Sequence, residues 1–251
     1  MYFYSTKICD GAMTDIIRKS LAELVGTYIF VLFGPGSVVA FIAAFHSTLN
    51  PSTTFFLATT FGLGISIGIM AVANISGGHV NPAVTIAMFV VGRFPGKHVI
   101  QYIVAQLIGA VMASATIGLL FGYNVANSVQ FGATIPGVRG PWIAFAGEFI
   151  MTFFFLWTIM GVTSRTNNTA IIAVVIGIYV AIMIYILVTV SGGSINPARS
   201  FGPAVLSGIL FKGQYYQWIY WVAPIIGGAL GALSYKFMYH EKGKIHYSPE
   251  N

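Results

Sequence analysis

The sequence predicts an all-α membrane protein with six transmembrane helices, two re-entrant half-helices and an inverted internal repeat. Three observations carry this prediction. The 251 residues are 57% hydrophobic and only 7% charged, which is far too apolar for a soluble domain. Six apolar stretches are close in length to the roughly 20 residues that a helix needs to cross a bilayer. A nine-residue pattern also occurs twice, at 76–84 and 191–199.

The apolar stretches divide the chain into two repeats. Two shorter apolar runs, Ala83–Val91 and Ala198–Leu210, follow the second and fifth stretches, and at ~1.5 Å per residue each is about half a membrane long. We therefore expect a segment 1–19, a channel domain 20–240 with repeats at about 20–121 and 142–239, and a tail 241–251. The six predicted spans are Leu21–Phe45, Phe55–Ile75, Val99–Phe121, Trp142–Thr163, Ala170–Val190 and Trp218–Tyr239.

In each copy of the pattern, an Asn-Pro-Ala motif starts a half-helix. Asn81 and Asn196 occupy N-cap positions, and Pro82 and Pro197 follow in the first turn, where a missing N–H costs nothing. A cap asparagine turns its oxygen toward its own helix and leaves its amide N–H groups as outward donors. The alanines that complete the motifs, Ala83 and Ala198, are small enough to let the two helix ends touch.

A Ser-Gly-Gly sequence precedes each motif and predicts extended backbone with accessible carbonyl groups. Non-helical backbone at membrane depth must be sheltered by protein or line a watery cavity, so these segments predict a pore. The residues expected to line it with their backbone are Gly77, Gly78, His79, Gly192 and Ser194.

Charge placement predicts the orientation in the cell membrane. With six crossings both termini lie on one side. That side carries nine of the twelve basic residues, and the other side carries two, Arg139 and Lys212. The twelfth, Arg199, is expected inside the fold and is not counted for either side. The positive-inside rule then predicts that both termini are cytoplasmic. Because each repeat has three spans, the second copy lies inverted relative to the first, and the half-helices meet N-terminus to N-terminus near the midplane.

Glu23 and Glu148 are the acidic residues within the spans, at matching positions of the two repeats. An ionisable group there is a functional candidate. One alternative is a proton-coupled transporter; the other is that each carboxylate accepts hydrogen bonds from a half-helix loop. With one cysteine and no cluster of metal-ligand spacing, the sequence predicts no metal site and no cofactor. Nor does it show a catalytic constellation or a nucleic-acid signature, so we expect neither an enzyme nor a nucleic-acid partner.

Through its two Asn-Pro-Ala motifs, Arg199 and the paired glutamates, the chain resembles the aquaporins of the major intrinsic protein family over residues 18–240. The resemblance implies a homotetramer in the lipid bilayer, with one pore per subunit. It also implies that Arg199 belongs to the narrowest constriction; the alternative is that this side chain snorkels to the surface. The other constriction residues map onto Phe61, Ile184 and Gly193. Many strict water channels have His where this sequence has Ile184, so we expect a relatively wide, apolar selectivity filter.

These features predict a passive channel for water and, in addition, glycerol or other small neutral solutes. Opposed helix ends at Asn81 and Asn196 would repel cations and interrupt the hydrogen-bonded water chain that carries protons. One alternative is a glycerol facilitator. Such proteins usually have Asp after the motif arginine, whereas this chain has Ser200. The other alternative is an ion-coupled secondary transporter, because inverted repeats with broken helices also build those.

Overall fold

The computed structural model describes residues 12–239, and the regular structure within that range is helical. The predicted segment 1–19 lies outside the described residues up to position 11, and the predicted tail 241–251 lies wholly outside them. In chain order the helices are α1 (Ala12–Val38), α2 (Pro51–Ser76), α3 (Pro82–Val90), α4 (Val99–Phe121), α5 (Tyr123–Ser128), α6 (Pro141–Thr163), α7 (Thr169–Leu187), α8 (Pro197–Leu206) and α9 (Ile219–Met238).

The six predicted spans are confirmed as α1, α2, α4, α6, α7 and α9, each long and apolar enough to cross a membrane. Helix α1 continues beyond Val38 through a π-helical turn, Val39–Ala44. It also contains Pro35, which has no N–H to give to the helix. The C-terminal end of α1 is therefore irregular.

Helices α3 and α8 are the short helices that follow the Asn-Pro-Ala motifs. Each begins at the motif proline, with the motif asparagine as its N-cap. Helix α8 ends at Leu206, so the apolar run to Leu210 overestimates its length. Gly208 explains the difference, because its φ of +69° is a left-handed conformation that terminates helices. Gly92, with φ of +79°, follows α3 in the same way.

The packing follows the two repeats. Helix α1 packs on α2 and α4, and in the second repeat α6 packs on α7 and α9. The repeats meet where α2 packs along α7. Each half-helix packs mainly on the last span of the opposite repeat, α3 on α9 and α8 on α4. Interlocking of this kind fixes both half-helices inside the bundle.

Glycines at matching positions allow the closest helix contacts. A Cβ on Gly109 of α4 would collide with the carbonyl oxygen of Leu24 in α1, and one on Gly227 of α9 would collide with that of Phe149 in α6. Leu24 and Phe149 directly follow the two glutamates. These glycines therefore set the helix spacing beside the segments that carry Glu23 and Glu148.

We expect Gly227→Ala to destabilise the protein by about 1–3 kcal/mol, because the added methyl group overpacks the α6–α9 contact. Gly36→Ala is the matched control, since its Cβ would meet Ile117 at an ordinary 3.5 Å. Thermal unfolding in detergent should show a lower midpoint for Gly227→Ala alone. An equal shift in both variants would mean that helix spacing at Gly227 is not limiting.

Candidate functional site

The two motif asparagines cap their own helices and reach across to each other's loops. The oxygen of Asn81 accepts a hydrogen bond from Ala83 N at 2.8 Å, and that of Asn196 accepts one from Ala198 N at 3.0 Å. The amide of Asn81 donates to the carbonyl oxygen of Ile195, and the amide of Asn196 donates to that of Val80, both at 2.9 Å. Since an amide nitrogen carries two N–H groups, each asparagine retains one further donor.

Val80 and Ile195 have left-handed backbones, with φ of +54° and +46°. This conformation is a genuine outlier for β-branched residues and costs roughly 1–2 kcal/mol each. Their carbonyl groups accept the hydrogen bonds from the opposite asparagines. Their N–H groups donate to carboxylates, Val80 N to Glu23 Oε2 and Ile195 N to Glu148 Oε2, both at 2.6 Å.

Glu23 and Glu148 are fully buried and bind the loops in the same pattern. Oε1 of Glu23 accepts hydrogen bonds from the Ser76 hydroxyl at 2.7 Å and from His79 N at 2.9 Å. Oε1 of Glu148 accepts them from the Ser191 hydroxyl at 2.6 Å and from Ser194 N at 2.8 Å. Each carboxylate thus ties down one unwound segment.

Two buried tyrosines complete this support, a role that the sequence patterns do not predict. Tyr102 donates its hydroxyl to the carbonyl oxygen of Ser76 at 2.9 Å, and Tyr220 donates to that of Ser191 at 2.8 Å. Both lie seven residues before the close-packing glycines Gly109 and Gly227. Aligning the repeats would have paired them.

A second matched pair links each loop to its own half-helix. The hydroxyl of Thr85, in α3, lies 3.1 Å from Nδ1 of His79. In the second repeat the Ser200 hydroxyl lies 2.6 Å from the Ser194 hydroxyl. In both repeats, therefore, the residue two before the motif asparagine bonds to the one four after it.

The structure brings Phe61, Ile184, Gly193 and Arg199 together. The Arg199 guanidinium carbon lies 4.8 Å from the centre of the Phe61 ring. Nε of Arg199 donates to the carbonyl oxygen of Gly193 at 3.0 Å. A Cβ on Gly193 would stand 2.7 Å from Cδ1 of Ile184. All four residues are nearly inaccessible, with Arg199 and Ile184 each only 2% exposed.

Arg199 does not reach the surface. Besides Gly193, its guanidinium donates to the carbonyl oxygens of Gly132 at 2.7 Å and Gly192 at 3.4 Å. Backbone carbonyls from two different segments therefore hold the charge inside the protein. The snorkelling alternative is wrong for this side chain.

The side chain of Ile184 occupies the room beside Gly193. Cδ1 of Ile184 lies where a side chain at Gly193 would begin, and the φ of Gly193 is +64°. The glycine therefore leaves no open space of its own.

A cavity of about 650 Å³ lies on the side of the two asparagines that faces away from Arg199 and its neighbours. It reaches Asn81, Asn196 and Ser194, but Phe61, Ile184, Gly193 and Arg199 do not line it. Of the predicted loop residues, Gly77, Gly78 and His79 line it as well, whereas Gly192 does not. The path through the protein is thus wide on one side of the asparagines and constricted on the other.

Comparison with known proteins agrees with this architecture. The sequence matches the profile of the family described as major intrinsic protein over residues 12–235. It is 37% identical to aquaporin AqpM of Methanothermobacter marburgensis, over 91% of this chain and all of the relative. It is 36% identical to glycerol uptake facilitator protein-like 6 of Lactiplantibacillus plantarum, over 88% of this chain and 98% of the relative.

A solved structure shares the fold. The aquaglyceroporin from Plasmodium falciparum superimposes with a TM-score of 0.80 at 26% identity, covering 88% of this chain and 95% of that one. Fold, motifs and relatives therefore agree over most of the chain. This chain belongs to the major intrinsic protein family.

Proposed function

We propose that the protein is a passive channel that conducts water, and small neutral solutes such as glycerol, while excluding protons and ions. The observation that carries this proposal is the pair of asparagine amides at the N-termini of α3 and α8, which face each other at the inner end of the cavity. Each amide uses one N–H on the opposite loop and keeps one as a donor for a passing oxygen atom.

The mechanism follows from those two donors and from the helix ends behind them. Each half-helix brings a positive end equivalent to about half a charge to the asparagines, which repels cations. A water molecule whose oxygen accepts from Asn81 and Asn196 turns both hydrogens away from the centre. It cannot then accept a proton from its neighbour, so the chain of hydrogen bonds along which protons hop is broken.

Phe61, Ile184, Gly193 and Arg199 form the selectivity filter in this proposal. Arg199 carries a permanent positive charge and offers hydrogen bonds on one side, whereas Phe61 and Ile184 offer apolar surface. The low exposure of all four residues favours water as the main solute. Glycerol would place its carbon face on Phe61 and its hydroxyl groups toward Arg199 once the Ile184 side chain moves.

A glycerol facilitator is the second candidate function, supported by the apolar Ile184 and by the relative whose name describes glycerol uptake. An ion-coupled transporter is less well supported. Glu23 and Glu148 are the buried carboxylates of the described spans, and both are occupied by hydrogen bonds from the loops. Their proposed role is to support the loops.

We also propose a cell-membrane location with cytoplasmic termini, and a homotetramer as the family resemblance implies. The nine-to-two distribution of basic residues supports the orientation. Lys236 Nζ donates to the carbonyl oxygen of Val91 and Arg93 donates to Thr163, so basic residues from separate parts of the predicted cytoplasmic side meet at one end of the bundle.

Stopped-flow light scattering of reconstituted vesicles tests the function. Vesicles that contain the protein should shrink in sucrose at a rate proportional to the osmotic gradient, and a proton gradient should leave that rate unchanged. Glycerol challenge of the same vesicles reports the second solute. Water flux no faster than in empty vesicles, or solute flux that saturates and follows the proton gradient, would contradict a passive channel.

Asn196→Asp should weaken cation exclusion. A carboxylate at this helix end offsets its positive potential, and we expect cation leak to rise roughly fivefold, the equivalent of about 1 kcal/mol of lost repulsion. Asn168→Asp is the matched control, since Asn168 caps the exposed N-terminus of α7 with the same kind of hydrogen bonds. Potassium flux into vesicles is the measurement, and equal flux in both variants would argue against a central barrier.

Ile184→Val removes the single methyl group, Cδ1, that fills the space beside Gly193. We expect the ratio of glycerol to water permeability to rise by roughly tenfold, the low end of what one methyl group discriminates in an apolar pocket. Ile69→Val is the control, because Ile69 lies at the matching position of the first repeat and lines the wide cavity. An unchanged ratio in Ile184→Val would show that this side chain does not set the width.

A further inference from the structure

The connection between α5 and α6 contains an unusual backbone turn. Gln130, Phe131 and Gly132 are consecutive and all left-handed, with φ of +47°, +55° and +72°. Residues other than glycine avoid this region, and when they adopt it they do so singly. The turn is closed by hydrogen bonds from Gly132 N to Val129 O and from Ala133 N to Gln130 O, both at 2.9 Å. Surrounding contacts must therefore hold it in place.

The Phe131 side chain supplies those contacts. It is fully buried and packs with Val39, Ala43, Ile117 and Ala126, a cluster that includes the π-helical turn at the end of α1. Its ring also meets the Tyr123 ring edge-on at 5.4 Å. The aromatic side chain thus anchors the turn to the C-terminal ends of α1 and α4 and to α5.

Gly132 connects the turn to the constriction. Its carbonyl oxygen accepts the shortest of the three hydrogen bonds that Arg199 donates to the backbone, at 2.7 Å from Nη1. On its other side Gly132 lies against α1, and a Cβ there would stand 2.9 Å from the carbonyl oxygen of Pro35. No other residue type fits this position without moving the turn.

The same connection is tied to α8 a second time. The Thr134 hydroxyl donates to the Ser200 hydroxyl at 2.7 Å, next to Arg199 in the chain. Gln217 holds Thr134 in turn, donating to its carbonyl oxygen at 2.7 Å. Displacement of the turn at Gly132 would therefore act on Arg199 while α8 itself stays fixed.

We infer that the left-handed turn at 130–132 is a positioning element for Arg199, with Phe131 as its anchor and Gly132 as its point of contact. It holds the guanidinium against the channel wall, so that the charge faces the path without crossing it. The inference rests on the proposed role of Arg199 in the filter.

The first test compares Gly132→Ala with Gly122→Ala in vesicles of matched protein content. Both glycines have positive φ in the stretch between α4 and α6, Gly122 just before α5 and Gly132 after it, but a Cβ on Gly122 would meet nothing within 4 Å. Freed from Gly132, the guanidinium spends part of its time across the path, so we expect Gly132→Ala to lower water permeability by about twofold or more. Gly122→Ala should leave water permeability unchanged.

The same substitution in an Arg199→Val background separates the inference from the proposed function. If the turn acts through Arg199, adding Gly132→Ala to Arg199→Val should cause no further change in water permeability, a non-additivity that a general packing defect would not produce. Equal losses in both backgrounds would overturn the inference alone. If Arg199→Val alters neither proton leak nor the glycerol-to-water ratio, the proposed filter role fails first.

Phe131→Ala provides a second route should Gly132→Ala not fold. Ile117→Ala is its matched control, because it empties space in the same buried cluster while leaving the Phe131 side chain and the other turn residues in place. We expect both to lower the thermal midpoint, but only Phe131→Ala to lower water permeability, and only when Arg199 is present. Water permeability lowered to the same extent in both variants would overturn the anchoring role.

Discussion

The structure depends on how the unwound loops between each Ser-Gly-Gly sequence and its motif asparagine satisfy their backbone N–H groups inside a membrane. An unpaired amide in hydrocarbon costs several kcal/mol, and no bulk water is available to bind it. Glu23 and Glu148 meet this demand, because each buried carboxylate accepts two consecutive backbone N–H groups from the loop of its own repeat. Hydrogen bonds to an ionised acceptor are roughly twice as strong as neutral ones. One carboxylate per repeat therefore makes a broken helix possible at this depth.

The carboxylates also determine how the two halves meet. Val80 and Ile195 each give their N–H to the glutamate of their own repeat and their carbonyl to the asparagine of the other. The left-handed backbone points the N–H group toward the glutamate and the carbonyl group toward the asparagine. The hydrogen bonds that result offset the conformational free energy of this backbone. Six non-glycine residues between 12 and 239 have positive φ, and Val80, Ile195, Gln130 and Phe131 are four of them. Backbone strain is thus concentrated at the asparagines and at the turn behind Arg199.

The sequence predicts the spans, the half-helix starts and the inverted repeat, because these depend on apolar length, capping residues and an odd number of crossings. It also selects both glutamates by their matching positions. It does not predict the partners of Arg199, because Gly132 lies 67 residues away and contributes only a backbone oxygen. A carbonyl group leaves no signature in residue type. Similarly, Gly193 suggests an open space until the Ile184 side chain is placed beside it.

The repeat itself explains why one side of the path is narrow and the other wide. Aligning Ser76 with Ser191 pairs Phe61 with Ile176, Ile69 with Ile184, Gly78 with Gly193 and Val84 with Arg199. The four partners of the constriction residues, Ile69, Gly78, Val84 and Ile176, all line the cavity of about 650 Å³. The two sides therefore use the same four backbone positions. On the narrow side a phenylalanine replaces an isoleucine and an arginine replaces a valine.

The arginine on the narrow side is a long, charged side chain, and it requires polar partners that the valine in the other copy does not need. The carbonyl oxygens of Gly132, Gly192 and Gly193 supply them only on the narrow side. In the proposed channel, selectivity thus arises from breaking the symmetry of the repeat at two side chains and then stabilising the one that carries a charge.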